Sequence, residues 1–339
     1  MTFNDDTDDR DRCDAGDDEP TKTGEPTEGL PDKPVEPFRL KHRWPSGYWG
    51  GPNIFIRTAL FSSSKAALCD YPPGYVASLI HTHIKATGPR LNQWDLDVFM
   101  SVLDACKDGN ALDVTPRELL GSMQRGTSTR DIDMLKASCR RLHDCHIEAS
   151  IRYKTMPEKR RWSGELFETF ECVRAPTSTG GTRERLRISL DPKLSWFIRD
   201  DYTWFDIHHR KLLRKHRLAA GLHAMYSTHS TEYSYPLDRL RDLLGVAARS
   251  GEFERLLRAA LDVLLEHKLV EGWRIAEKQL TVTPKLNQAK IAYLKRNGLP
   301  VPTSVLAVAE APDKPNAGPT TWLQRFIEVA KRIATWARG

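Results

Sequence analysis

Residues 236–284, PLDRLRDLLGVAARSGEFERLLRAALDVLLEHKLVEGWRIAEKQLTVTP, decide the fold. Pro236 opens a short helix, PLDRLRDLL, because proline has no N–H to donate and its fixed φ suits a first turn. Gly245 stops that helix, and Ser250 stands where an N-cap belongs. In the longer helix that follows, Phe253, Leu256, Leu257, Ala260, Leu261, Leu264 and Leu265 recur at three- and four-residue spacing, one apolar stripe. LVEGWRIA and KQLTVTP then alternate as a hairpin that turns at Glu277 and Lys278. Upstream, a helix from about Arg210 to Ser227 directs Leu213, Leu218, Leu222 and Met225 toward the same core.

The same order of elements stands once before. Leu91 to Cys106 reads as a helix with Leu96, Phe99, Met100 and Leu103 on one side, and Pro116 starts a short helix, PRELLGSM. After the turn QRGTS, a third helix begins with Ser128 or Thr129 as N-cap and runs to about His143. HIEASIRY and LFETFECVRA read as strands separated by the basic loop KTMPEKRRWSGE, and RERLRISL as a further strand. Three helices followed by a hairpin is the winged-helix order. The expected fold is therefore α+β, with two tandem winged-helix (helix-turn-helix plus β-hairpin) domains at 53–195 and 196–290.

The flanks read differently. Residues 1–37 are nearly devoid of apolar side chains and are expected to be a disordered acidic tail. Residues 299–319 form a Pro/Ala-rich linker, and 320–337 place Trp322, Phe326, Val329, Ile333 and Trp336 on one stripe of an amphipathic helix. That helix would pack on the body, self-associate or meet a partner or an anionic membrane surface.

Length and charge bound the function. A chain of 339 residues fits two or three domains. Its net charge of +6 conceals an asymmetry: residues 1–36 hold 13 acids and four bases, so the rest carries +15. A basic body suggests a polyanion, most often nucleic acid, with the tail competing for the same surface; a phospholipid surface is the other reading. No apolar run reaches membrane-span length, and the acidic N-terminus lacks the pattern of a secretory signal, so a soluble, cytoplasmic protein is expected. Six cysteines without a CxxC pair suggest reduced thiols rather than a disulfide scaffold.

A helix-turn-helix presents its third helix to the major groove, where each base pair shows its own donor and acceptor pattern. In the first unit, burying Ile132, Leu135, Cys139 and Leu142 leaves Arg130, Asp133, Lys136 and Arg140 outward, with Thr127, Ser128 and Thr129 at the leading end. In the second unit the outward set is Ser250, Glu254, Arg255 and Arg258. Lys159, Arg160 and Arg161 at the expected tip of the first hairpin, Lys278 at the second, and Arg210, Lys211 and Arg214 in the run RKLLRKHR suit phosphates, which position a protein without specifying sequence. The competing reading of such arginines is a solvated helix face.

IRTALFSS at 56–63, IKATGPRLNQWDLDVFMSVLDACK at 84–107, YTWFDIHHRKLLRKHRLAAGLHAMYSTHSTEYSYPLDRLRDLLGV at 202–246 and FERLLRAALDVLLEHKLVEGW at 253–273 resemble the TrfA-type plasmid replication initiators. The resemblance spans about residues 53–284. It implies a bacterial protein whose two winged helices bind repeated origin sites (iterons) in double-stranded DNA. It further implies opening of an adjacent AT-rich duplex and recruitment of the host's replicative helicase with its loader or initiator. A monomer in equilibrium with a homodimer is also implied. The family's short Gln and Leu-Phe clamp-docking motif has no match in FRLKHRWPSGYWGGPN.

Other functional classes would carry residue signals of their own. A winged-helix transcriptional or partition regulator needs the same reading helices. A metal-dependent, rolling-circle nickase would use His81 and His83 with Tyr71 or Tyr75, but the residue between the histidines is Thr82 rather than a hydrophobe. Cys139, His143, Cys145 and His146 are zinc-ligand types, yet they lack the two separated pairs of a closed site. GxxxxGK, GxSxG and HExxH are absent. The expectation is a non-enzymatic DNA-binding protein with no cofactor and no metal.

Overall fold

The computed structural model describes residues 44–285 except 65–69, 73, 80–81, 107–108, 152–159, 177–179, 199–200 and 230–231, together with Ile291 and Lys295. The acidic tail, the linker and the C-terminal stripe expected above lie outside the described residues.

The first half of the chain contains β1 (Tyr48–Pro52), α1 (Asn53–Ile56), β2 (Phe61–Ser62), β3 (Tyr75–Val76), β4 (Thr82–Thr87) and β5 (Leu91–Asn92). They are followed by α2 (Gln93–Ala105), β6 (Ala111–Val114), α3 (Pro116–Ser122), α4 (Thr129–Asp144), β7 (His146–Ile151), β8 (Arg160–Glu165), β9 (Thr169–Pro176) and β10 (Thr182–Ser189). Then come α5 (Ser195–Ile198), β11 (Tyr202–Asp206), α6 (Ile207–Leu212) and α7 (Arg217–Ser227). The chain continues through β12 (Tyr233–Pro236), α8 (Leu237–Leu243), α9 (Ser250–Glu266), β13 (Val270–Ala276) and β14 (Gln279–Pro284). The fold is mixed α+β.

One arrangement occurs twice. In the first, α2, β6, α3 and α4 precede the hairpin β9–β10, and the sheet order is β6-β10-β9. In the second, α7, β12, α8 and α9 precede the hairpin β13–β14, and the order is β12-β14-β13. In both, the strand between the first two helices pairs antiparallel with the last strand of the hairpin. Each repeat has its own apolar core, and the first core also takes Phe205, Ile207 and Ala224 from β11, α6 and α7. β1 and β11 pair antiparallel, joining the chain before the first repeat to the chain after it.

Three differences from the sequence expectations have physical reasons. The hairpin equivalent to the second repeat's is β9–β10; the stretch expected as a basic loop instead contains β8, paired with β7 in a separate sheet of order β3-β4-β7-β8. Trp162 drives this: its ring is buried, 6.1 Å from Phe55 and 6.3 Å from Phe197, and its Nε1 donates to Asp191 at 2.6 Å. The helix expected from Arg210 to Ser227 is two helices, interrupted by a 3-10 turn at Leu213–Lys215 that buries Leu213. Leu265, expected in the core, is 45% exposed, because the stripe of α9 is only as wide as Phe253, Leu257, Ala260, Leu261 and Leu264.

Helix starts follow local chemistry. Asn92 with Asp95, Thr115 with Glu118 and Ser128 with Asp131 each form a reciprocal capping box at the heads of α2, α3 and α4. At α9 the N-cap is Arg249, without a side-chain bond, and Ser250 is the first helical residue rather than the cap. Gly245, at φ +62°, ends α8 in the left-handed conformation that glycine adopts without steric cost.

Candidate nucleic-acid interface

The site begins with what holds α4 in place. Asp95 on α2 is fully buried and accepts four hydrogen bonds. These come from Asn92 N at 2.9 Å, Ser138 Oγ at 2.6 Å, Arg141 Nη2 at 2.6 Å and Arg141 Nε at 3.1 Å. Burial pushes the Asp95 carboxyl above its ordinary range, while Arg141 and Ser138 pull it down. One carboxylate thus caps α2 and fixes the rotation of α4 about its axis. Leu135, Cys139 and Leu142 are buried as expected, Ile132 is half-buried, and Thr129, Arg130, Asp133 and Arg140 face solvent, with Ser128 exposed at the cap. Met134 also faces solvent, which the periodicity did not single out. Lys136 is half-buried and held by Glu184 of β10 at 2.7 Å, so it braces the helix against the hairpin.

Asp97, two residues along α2, serves a different connection. It accepts from Arg125 Nη2 at 2.9 Å, just ahead of α4, and from Arg210 Nε at 2.7 Å, on α6. Arg210 also donates to Ala220 O at 2.7 Å and to Gln93 Oε1 at 3.2 Å, while Gln93 Nε2 donates to Phe61 O at 2.7 Å. Arg210 is only 1% exposed, which corrects the expectation that it meets phosphate. A guanidinium surrounded by acceptors in the interior joins the repeats and is unavailable to DNA. Lys211, half-buried, and Arg214, exposed, remain near the surface.

On α9, Arg255 faces solvent and forms no hydrogen bond or ion pair with another described residue. Arg258 is exposed, but Glu254 holds it at 2.6 Å, and its guanidinium lies 6.0 Å from the centre of the Trp273 ring. Ser250 is exposed at the first turn. Lys278 sits at the β13–β14 turn, where it and Glu277 have φ of 57° and 50°, the geometry of a tight two-residue hairpin.

Arginines missed at the sequence level lie on β10. RERLR places Arg183, Arg185 and Arg187 on one side of the strand and Leu186 on the buried side, and Arg174 stands opposite Glu184 on β9. Asp113 of β6 holds Arg185 at 2.6 Å and Arg187 at 3.5 Å, while Arg183 is exposed. The alternation RxRxR was the available signal. Arg160 and Arg161 belong to β8, in a different sheet from this hairpin, and Lys159 lies outside the described residues. Arg161 lines an open depression with Tyr75, His83 and Lys85 on the β3-β4-β7-β8 sheet.

The residues considered for other chemistry have other roles. The Tyr71 hydroxyl donates to Leu60 O and accepts from Leu91 N at 3.1 Å, and burial raises its pKa far above the ordinary phenol range. His81 lies outside the described residues, and Tyr75 packs edge-on to His83 with centroids 6.0 Å apart. Cys139 and Cys145 are buried, His143 bonds Phe167 O at 3.0 Å, and His146 bonds Glu165 and Ser163, each at 2.9 Å, so the four do not converge. Among the described residues no helix is long and apolar enough to cross a membrane.

The chain is similar to two crystal structures of domains 2 and 3 of RctB. The first, a selenomethionine derivative, is 14% identical with TM-score 0.48, covering 70% of this chain and 99% of that one. The second is 12% identical with TM-score 0.46, covering 71% and 99%. No protein-family model and no curated protein matches the chain.

Proposed function

We propose that this chain is a non-enzymatic, sequence-specific DNA-binding protein of the replication-initiator kind, in which two tandem winged helices of one chain occupy major grooves of double-stranded DNA. The observation that carries this reading is the repeat itself. Two sheets of the same strand order each take their hairpin from the chain beyond a helix, α4 or α9, whose apolar face is buried and whose opposite face carries arginine. Arg130, Arg140, Arg255 and Arg258 are the base-reading candidates, Ser128, Thr129 and Ser250 lie at the leading ends, and Lys278 and Arg183 at the hairpins suit phosphates. The buried Asp97–Arg210 pair favours two heads that bind as one body.

The origin-level function rests on the sequence resemblance: binding of repeated sites, opening of an AT-rich segment by bending and underwinding, and recruitment of host helicase. The test is whether this gene with its flanking DNA sustains replication of an otherwise origin-less plasmid. Maintenance that is lost with Arg255→Ala supports an initiator. Failure, with specific binding to the flanking DNA intact, makes the chain a regulator instead.

A further inference from the structure

Among the described residues, Arg258 is the outward arginine of the candidate reading helices that other side chains hold from two sides. Glu254, one turn before it on α9, accepts from Arg258 Nη2 at 2.6 Å and from Nε at 3.2 Å, both on the single oxygen Oε1. On the other side the guanidinium carbon lies 6.0 Å from the centre of the Trp273 ring. Trp273 belongs to β13, opposite the buried Val282, and packs half-buried against the core of the second repeat, so its ring is a fixed platform.

The contact with Glu254 has a direction. Side chains of an α-helix lean toward its N-terminus, and a glutamate four residues ahead of an arginine meets it there. Glu254 therefore holds the guanidinium toward the head of α9, the end from which a helix-turn-helix touches base edges. It also occupies one definite edge of the group. Nη1 and the outer N–H of Nη2 form no hydrogen bond with another described residue. Those donors make the end-on fork that fits guanine O6 and N7. Arg255, which has no such partner, must have its rotamers fixed as it binds, and ordering a side chain of that length costs affinity.

We infer that Glu254 and Trp273 are positioning residues for base recognition, holding Arg258 with its end-on fork toward the groove so that one guanine of the site is read by a side chain ordered before binding. This rests on the DNA-binding reading above. A carboxylate on a face that meets DNA repels phosphate, so its presence there weakens binding to random DNA while sharpening the choice among sequences.

The test uses the full chain. Selection from a random-sequence duplex library gives the preferred duplex, and competition against random DNA gives the discrimination ratio. Arg258→Ala should relax one guanine of the selected site. Glu254→Ala is expected to raise affinity for random DNA and yet lower the ratio about twofold to tenfold. Glu254→Gln removes the same charge but keeps an oxygen that accepts from the guanidinium, and should retain more of the ratio. Trp273→Leu should lower the ratio and Trp273→Phe preserve it. In an Arg258→Ala background neither Glu254→Ala nor Trp273→Leu should change the ratio further. A ratio unmoved by Glu254→Ala or by Trp273→Leu, or equal ratios for Glu254→Ala and Glu254→Gln, overturns the inference while DNA reading stands. So does a ratio that Glu254→Ala lowers as far without Arg258, which would make Glu254 a base contact itself. Selection that returns no preferred sequence overturns the parent reading and this one together.

Discussion

Arg210 on α6 donates to Asp97 on α2 at 2.7 Å with both side chains buried, and because it also donates to Ala220 O on α7 it ties the second repeat to the helix that also positions the first reading head. Its energetic role differs from that of a surface arginine. Arg210→Ala leaves Asp97 and the Gln93 carboxamide short of a donor in the interior, where removing one partner of a buried pair costs about 3 to 5 kcal/mol. Denaturant unfolding should show that loss, and DNA affinity should fall with an unchanged salt slope. Unaltered stability would mean that the pair does not hold the repeats together.

Arg255→Ala should remove about 1 to 3 kcal/mol of discrimination between the preferred duplex and random DNA, because a bidentate contact to guanine has that magnitude. Competition binding against both duplexes measures it. An equal loss on every sequence would reassign Arg255 to phosphate.

The β9–β10 hairpin and the β7–β8 hairpin make opposite claims on the DNA backbone. Arg183→Ala should lower affinity for all sequences and make the dependence of log K on log salt shallower by about 0.9. Arg161→Ala, on the other sheet, should leave the slope unchanged. The reverse result would place β8 rather than β10 against the phosphates.

Acid should fray the first reading helix before the core melts. Hydrogen bonds from Ser128 hold the Asp131 carboxyl below its ordinary range, and those from Thr115 do the same for Glu118. A carboxyl whose folded pKa is depressed contributes stability above its unfolded value, about pH 4, and that contribution is lost as pH falls through the folded value. Protection of the Glu118, Leu119, Asp131 and Ile132 amides against hydrogen exchange, relative to their intrinsic rates, should therefore fall below about pH 4. Asp131→Asn should lose protection at amides 131 and 132 already at neutral pH, and protection unchanged by that substitution would argue against the capping box.

Much of the fold was legible because its determinants are local. Pro116, the Ser128 cap and the stripe of Leu135, Cys139 and Leu142 set α3 and α4 within a residue or two, and Gly245 marked the end of α8. Capping, proline placement and apolar period act over a few residues, so a linear reading captures them. The outward character of Arg130, Arg140, Arg255 and Arg258 followed from the same stripes.

What the tertiary structure decided depends on partners distant in the chain. Arg210 looks like any member of a basic run until Asp97, 113 residues earlier, draws it inside. RRWSGE looks like a loop until Phe55 and Phe197 supply a core for Trp162. Strand order made the arginines of β10 part of the first hairpin, since pairing of β10 with both β6 and β9 cannot be read from alternation alone. The sequence by itself determined α3, α4, α8, α9 and the β13–β14 hairpin, the repeat they belong to and the two candidate reading faces. Which charges remain on the surface, and how the repeats are joined, was decided by burial and pairing across the chain, because desolvating a charge requires a partner that only folding brings near.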